Sequence, residues 1–185
     1  MTRKIVINNV MGIEEFLLKE CPSYFDKEAM INKPFTAQKN IVLAGFPGVG
    51  KSYAGKEYPT HVIDMESSLY HWAKDTNVKT VDIHWPLNYI DYIHQTSCRN
   101  RWTSTYILTS THKEVLTGLV ERGVNFYIVA PLTKSVAIER YVRRKSPKNF
   151  IDSLDANWDT YMKDLESYNV PIFYSDMYLS QLICN

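Results

Sequence analysis

Residues 41–52 read IVLAGFPGVGKS, and no other stretch constrains the chain so tightly. The four apolar residues Ile41 to Ala44 suit a short buried strand. They run directly into Gly45-Phe46-Pro47-Gly48-Val49-Gly50-Lys51-Ser52, a full match to G-x-x-x-x-G-K-[ST]. The chemistry accounts for the spacing. Glycines allow unusual backbone angles and close approach of a ligand to the main chain. Successive N–H groups then form an anion nest at the start of the helix expected over Lys51 to Tyr58. Lys51 can reach the β and γ phosphates of a nucleotide, and the Ser52 hydroxyl can sit on Mg²⁺. Gly45, Pro47, Gly48, Val49, Gly50, Lys51, Ser52 and Tyr53 form the expected donor-binding set. A glycine turn that happens to precede a lysine also satisfies the pattern. The strand before it and the helix-compatible segment after it favour phosphate binding.

Further apolar runs read as strands at His61 to Asp64, Tyr106 to Thr109, Val124 to Ala130 and Val170 to Tyr174. Helical patterns alternate with them: a run from Leu87 after Pro86, one through Val115, Leu116, Leu119 and Val120 stopped by Gly123, one over Thr133 to Lys145, and a long amphipathic one over Asn149 to Ser167. This alternation predicts an α/β chain with the three-layer P-loop NTPase fold: a five-stranded, mostly parallel sheet with helices on both faces. That domain spans 40–185, with an acceptor-binding insertion about 67–104 and a short lid about 133–150. Residues 1–39 read as an N-terminal accessory segment packed on the core. Within it Ile5-Val6-Ile7 suits a short strand closed by Asn8-Asn9, and Ile13, Phe16 and Leu17 suit a helix over 12–20 that Pro22 ends.

Parallel sheets place ligands at the carboxyl ends of their strands, which draws attention to the residues there. Asp64 and Glu66, two apart, can aim a carboxylate pair at metal or acceptor. An N-cap for a helix starting near Ser67 or Ser68 is the plainer alternative and can coexist with that role, and the strand-end position of Asp64 favours the functional role. Ser68 and Trp72 open the acceptor region. Trp85, Tyr89 and Tyr92 follow it, and they either line a pocket or, for Tyr89 with Ile90 and Ile93, form a core face. Arg99 and Arg101 suit either an acceptor phosphate or solvent, and Trp102 belongs to the same aromatic group. His112 and Lys113 follow a strand end. On the helix over 133–145, Arg140 and Arg144 share a face with Arg143 alongside, which suits a clamp on the transferring group; the plain alternative is a solvated basic face. The strand Tyr106 to Thr109 lacks the acidic end of a Walker B motif, which disfavours motor and switch NTPases. Phe150, Ile151, Leu154, Trp158, Tyr161, Met162 and Leu165 make an apolar stripe that reads as core packing.

Charge and composition remove other classes. Lys and Arg number 21 against 20 acidic residues, which argues against broad nucleic-acid binding, although a polynucleotide 5′ end stays among the acceptors considered. Cys21, Cys98 and Cys184 form no C-x-x-C pair, so neither a zinc ribbon nor a disulfide framework is indicated. No apolar run approaches the roughly 18 residues that span a bilayer, and MTRKIVINNV lacks a signal-peptide core. A cytoplasmic protein with no membrane partner is expected. Oligomeric state is not legible.

The octet GFPGVGKS resembles the P-loop of adenylate-kinase-type nucleoside monophosphate kinases, which carry Pro-Gly at the same place. The order of elements over 40–185 is similar to small adenylate-kinase-like proteins encoded by bacteriophages. Val62 to Ser68, Ser110 to Val115 and Asn157 to Asp159 carry that likeness. The resemblance implies Gly45 to Ser52 on donor phosphates, Arg140 to Arg144 as lid arginines, donor adenine around Ser175 to Met177, and the host cytoplasm as location. Thr109 to Lys113 stands where the family's glycine-phenylalanine-proline-arginine element grips the acceptor, and the lid is too short for a zinc-bearing domain. The expected function is transfer of the ATP γ-phosphoryl to a small-molecule nucleotide acceptor, a nucleoside monophosphate (deoxynucleotides included), with Mg²⁺. Lys51, Asp64, Arg140 and Arg144 would be catalytic, Ser52 and Asp64 metal-holding, and Glu66, Ser68, Trp72, His112, Lys113 and Arg143 acceptor-side. Alternatives are a hydroxyl acceptor, with Asp64 as base, and a non-catalytic ATP-binding module.

Overall fold

Strand β2, Ile41–Gly45, is buried along its whole length. Consecutive side chains of a strand point to opposite faces, so both faces are covered. It is also paired on both edges, in parallel register with β4 (Tyr106–Thr109) and β5 (Phe126–Pro131). Outward from these lie β3 (Val62–Asp64) beside β4 and β6 (Ile172–Ser175) beside β5. The computed structural model describes residues 4–7, 13, 15, 40–74, 79–99 and 105–183.

Among the described residues the sheet has six strands rather than the expected five, and all are parallel. The sixth is β1, Lys4–Val6, which pairs with β6 from within the segment read as an accessory cap. Ile7 N–H continues the pairing to Tyr174 O at 3.0 Å, and Lys4 Nζ meets Glu166 Oε1 at 2.6 Å. Without β1 the edge of β6 would present unpaired backbone groups. Three residues carry too little period to announce a partner so far along the chain. Ile13 and Glu15 are helical and Ile13 is fully buried. The rest of the helix expected over 12–20, the Asn8-Asn9 turn, Arg101, Trp102, Cys21 and Cys184 lie outside the described residues.

The order β1-β6-β5-β2-β4-β3 decides where a ligand can sit. From β2 the chain moves out to β3, returns to β4, then crosses to β5 on the other side of β2. Right-handed crossovers therefore send the loops leaving β2 and β4 to opposite faces, which opens a crevice between their carboxyl ends. The helix contacts agree. Helix α1 (Lys51–Glu57) packs on β3. After the short α2 (Ser68–His71) comes α3 (Leu87–Ser97), which packs on α4 (Lys113–Glu121). Helix α5 (Lys134–Arg143) packs on α6 (Lys148–Glu166), and α7 (Leu179–Ile183) packs on α1. Among the described residues no helix is long and apolar enough to cross a membrane.

Helix α4 stops where the sequence says it should. Gly123 has φ 65°, Gly123 N–H reaches Val120 O and Val124 N–H reaches Leu119 O, both at 3.0 Å, which is the Schellman pattern. A Cβ there would touch nothing within 4 Å, so the cost of a side chain is purely that of the left-handed backbone. Gly123→Ala should lower unfolding free energy by about 1–2 kcal/mol, read as a lower denaturation midpoint with an unchanged slope in urea.

Candidate functional site

The loop leaving β2 is held at both ends. Phe46 N–H donates to Val129 O of β5 at 2.8 Å, Val49 N–H closes a turn on Phe46 O at 3.2 Å, and Val49 O accepts from Leu179 N–H at 2.8 Å. Gly50 precedes α1 with φ 95°, a conformation that excludes ordinary side chains. It offers α1 no side-chain cap, so the first-turn N–H groups lack intrahelical acceptors. At Gly45 the constraint is space, since a Cβ would stand 2.9 Å from Lys51 Cδ and from Val49 Cγ2.

That space is taken by Lys51, whose Nζ donates to Gly45 O at 2.6 Å. Burial brings its pKa down to about 8; Asp64 and Glu66 oppose the shift and Arg144 adds to it. At Asp64, the last residue of β3, the Ser52 hydroxyl stands close enough to favour the charged carboxylate. Burial foremost, with help from Glu66, raises its pKa, while Ser52 and Lys51 pull the other way. Its Oδ1 is buried and has no hydrogen-bond partner among the described residues. The helix-cap alternative for Asp64 is removed by Glu66, whose Oε1 accepts from Ser68 N–H at 3.3 Å at the start of α2. Gly55 is a contributor that sequence reasoning passed over. A Cβ there would lie 2.7 Å from Asp64 Cβ, so its absence lets α1 pack against the end of β3.

Tyr89 ties the two strand ends that face Lys51. Fully buried, its hydroxyl donates to Met65 O at 2.5 Å and accepts from Thr109 Oγ1 at 2.9 Å and Ser110 N–H at 3.3 Å. Burial foremost pushes its pKa up to about 12, so it stays a neutral donor. The core-face reading of Tyr89 holds, but its role as a hydrogen-bond hub had no signal in the sequence. Next to it His112 Nδ1 lies 2.9 Å from Ser110 Oγ, and burial foremost lowers its pKa. Most described aromatic residues of the 67–104 region pack on one another. Tyr92, Tyr70, Tyr89, Trp85, His71 and Trp72 form a continuous chain of ring contacts with centroids 4.4–5.6 Å apart. Lys79 Nζ covers Trp72 at 4.2 Å.

The three arginines do not form one clamp. Buried Arg140 donates through Nη2 to Asp176 O at 2.7 Å and Met177 O at 2.8 Å, and its guanidinium lies 4.6 Å from the Tyr178 ring centroid. It holds the 176–178 loop beside Gly50, where a Cβ would meet Tyr178 at 3.3 Å. Arg143 pairs outward with Glu139 at 2.7 Å. Arg144, at the end of α5, is the one that acts electrostatically on Lys51.

A cavity of about 300 Å³ opens beside this cluster, lined by Gly45, Pro47 and Lys51, by Ser110 to Lys113, and by one side of α6. It thus brings His112 and Lys113 together with Lys51; Ser68, Trp72 and Arg143 are not among its described lining residues. The stripe on α6 buries Leu154, Trp158 and Leu165 as expected for core. Phe150 and Tyr161, however, are 44% and 41% exposed and face the cavity instead. Only the position of α6 over Phe46 separates these roles, and a helical stripe does not encode it. Among the described residues no three His, Cys, Asp or Glu side chains are grouped to hold a metal by themselves.

No protein-family model matches the sequence, and no curated protein matches it. Several solved structures show distant likeness. An uncharacterized protein from Eubacterium ventriosum ATCC 27560 aligns over 76% of this chain and 92% of its own, at 10% identity and a TM-score of 0.40. The SH3-kinase fragment of tight junction protein 3, in apo-form, aligns over 95% of this chain and 70% of its own, at 12% identity and a TM-score of 0.42. The shown class is a mixed α/β chain with a six-stranded parallel sheet flanked by helices.

The buried ammonium has a measurable consequence. Its folded pKa of about 8 lies below the ordinary lysine value of 10.5, so between these pH values the unfolded chain binds more protons. The cost of burying Lys51 charged is present in full below about pH 8 and disappears as pH rises toward 10.5. The stability of the wild type relative to Lys51→Met should therefore increase from pH 7.5 to 10, measured by urea unfolding at each pH.

Proposed function

We propose that this chain is a P-loop phosphotransferase of adenylate-kinase-like type, acting in the cytoplasm, that moves the γ-phosphoryl of ATP to a nucleoside monophosphate. The observation that carries the proposal is the convergence of Lys51, Ser52 and Asp64 at the end of the central strand, beside a cavity large enough for an acceptor. The match of GFPGVGKS to the phosphate-loop pattern and the position of that loop at the sheet's crevice support it. Lys51 supplies positive charge where the transferred group carries negative charge, and the loop amides supply fixed dipoles. The unpartnered Oδ1 of Asp64 and the Ser52 hydroxyl fit a hard cation that takes one or two protein oxygens and the rest of its shell from phosphate and water. Mg²⁺ bound there would neutralise phosphate charge. Arg144, rather than Arg140 or Arg143, is the arginine in electrostatic reach of Lys51.

Purified protein with MgATP and a panel of nucleoside monophosphates should yield ADP and a nucleoside diphosphate in equal amounts. Lys51→Ala should lower kcat by about 10²-fold or more while unfolding as cooperatively as wild type. Absence of turnover with every monophosphate overturns the reading. A hydroxyl acceptor is the second reading, favoured by the half-buried carboxylate of Asp64, whose pKa burial raises and which suits a general base. Asp64→Asn decides between them. A base loses about 10²–10⁴-fold in kcat, whereas a group that only orients its neighbours loses markedly less.

A further inference from the structure

The cavity beside Lys51 holds two features that core packing leaves without a purpose. The first is Tyr141, only 2% exposed, whose hydroxyl has no hydrogen-bond partner among the described residues. Burial foremost raises its pKa, so the phenol keeps its proton as a donor. It sits at the phosphate loop, since a Cβ built on Gly48 would stand 3.5 Å from the hydroxyl. A buried O–H left unpaired is costly, and it marks a place where a ligand atom can complete the bond. The second is the pair of half-exposed rings on α6. Phe150 lies against Tyr141 with centroids 5.0 Å apart, and Tyr161 meets Phe46 edge-on at 6.4 Å. Both leave ring surface open to the cavity.

The alternative seat, among the aromatics of 67–104, is already filled by its own side chains through the ring chain from Tyr92 to Trp72. Resting on the phosphotransferase reading, we infer that the acceptor's planar base lies in the trough beneath α6, against Phe150 and Tyr161. The Tyr141 hydroxyl donates a hydrogen bond to that acceptor at the phosphate-loop end. The trough is continuous with Gly45 and Lys51, so a nucleotide seated there keeps its phosphate at the transfer centre. Aromatic walls serve a nucleobase because every base has a π-face, and stacking on them tolerates differences in sequence of the ligand.

Calorimetric titration of AMP, GMP, CMP, UMP and dTMP into the full chain tests this directly, with an ATP titration alongside. For the best-bound monophosphate, Tyr161→Ala should raise Kd roughly tenfold and leave Kd for ATP unchanged. Tyr141→Phe removes one oxygen from a buried site, so it should keep or raise the thermal midpoint while weakening monophosphate binding about fivefold or more. Phe150→Ala replaces Tyr161→Ala if the latter unfolds. The inference is overturned if no monophosphate binds wild type or if both tyrosine variants bind it normally. It is also overturned if ATP affinity falls in step, which would make the trough a donor seat, or if Trp72→Ala is the variant that weakens binding. Monophosphate binding that depends on Tyr161 without any phosphoryl transfer sinks the proposed function and leaves this seat standing. Transfer with an unchanged acceptor KM in Tyr161→Ala does the reverse.

Discussion

Strand β2 is hydrogen-bonded along both edges and covered on both faces, and the rest of the molecule depends on that confinement. A strand in this position has no freedom to slide or tilt, so Gly45 is delivered to one point at the carboxyl edge of the sheet. The loop that follows is fastened to β5 through Phe46 and to α7 through Val49. Lys51 then folds back over the strand it came from and buries its ammonium on the strand's last carbonyl. A charge held this way is costly in isolation. It is tolerable because Asp64 and Glu66 stand nearby and because the Gly45 carbonyl accepts a hydrogen bond from it.

The neighbouring strands are locked to β2 by two devices that differ in kind. Gly55 removes a side chain so that α1 can press on Asp64 and bring Ser52 to its carboxylate. Tyr89 adds one, threading a hydroxyl between the ends of β3 and β4. Together they gather groups from three separate stretches of chain into one electrostatic unit. Arg140 does a similar job on the other side, holding the 176–178 loop against Gly50, and its charge is used on backbone carbonyls.

Several of these features were legible in order along the chain because each is written locally. The apolar run 41–44, the glycine spacing of 45–52, the Gly123 stop of α4 and the strand-end position of Asp64 need only neighbours in sequence to be recognised. The misses share the opposite property. The short strand expected at Ile5 to Ile7 does form as β1, Lys4–Val6, but its pairing with β6 across most of the chain was not legible. The arginines of α5 share a helical face in projection, yet the helix's C-terminal end and the bend after it send Arg140, Arg143 and Arg144 to three different partners. Phe150 and Tyr161 repeat at core spacing, but they line the cavity beside the loop and stay half-exposed.

By itself the sequence determined the alternation of strands and helices, the glycine-permitted backbone of the loop after β2, and the chemical types gathered at its end. Those follow from side-chain size, charge and conformational freedom acting over a few residues. Tertiary structure alone decided how many strands the sheet has, which carboxylate turns to Ser52, and which arginine acts on Lys51. It also decided that, among the described residues, the space beside GFPGVGKS is bounded by α6 rather than by the aromatic region before β4. These are distances between segments remote in the chain, and periodicity within a segment carries no record of them. The loop on which the chain is built is therefore recognisable within its own segment, while the space beside it is defined only by what folds over it.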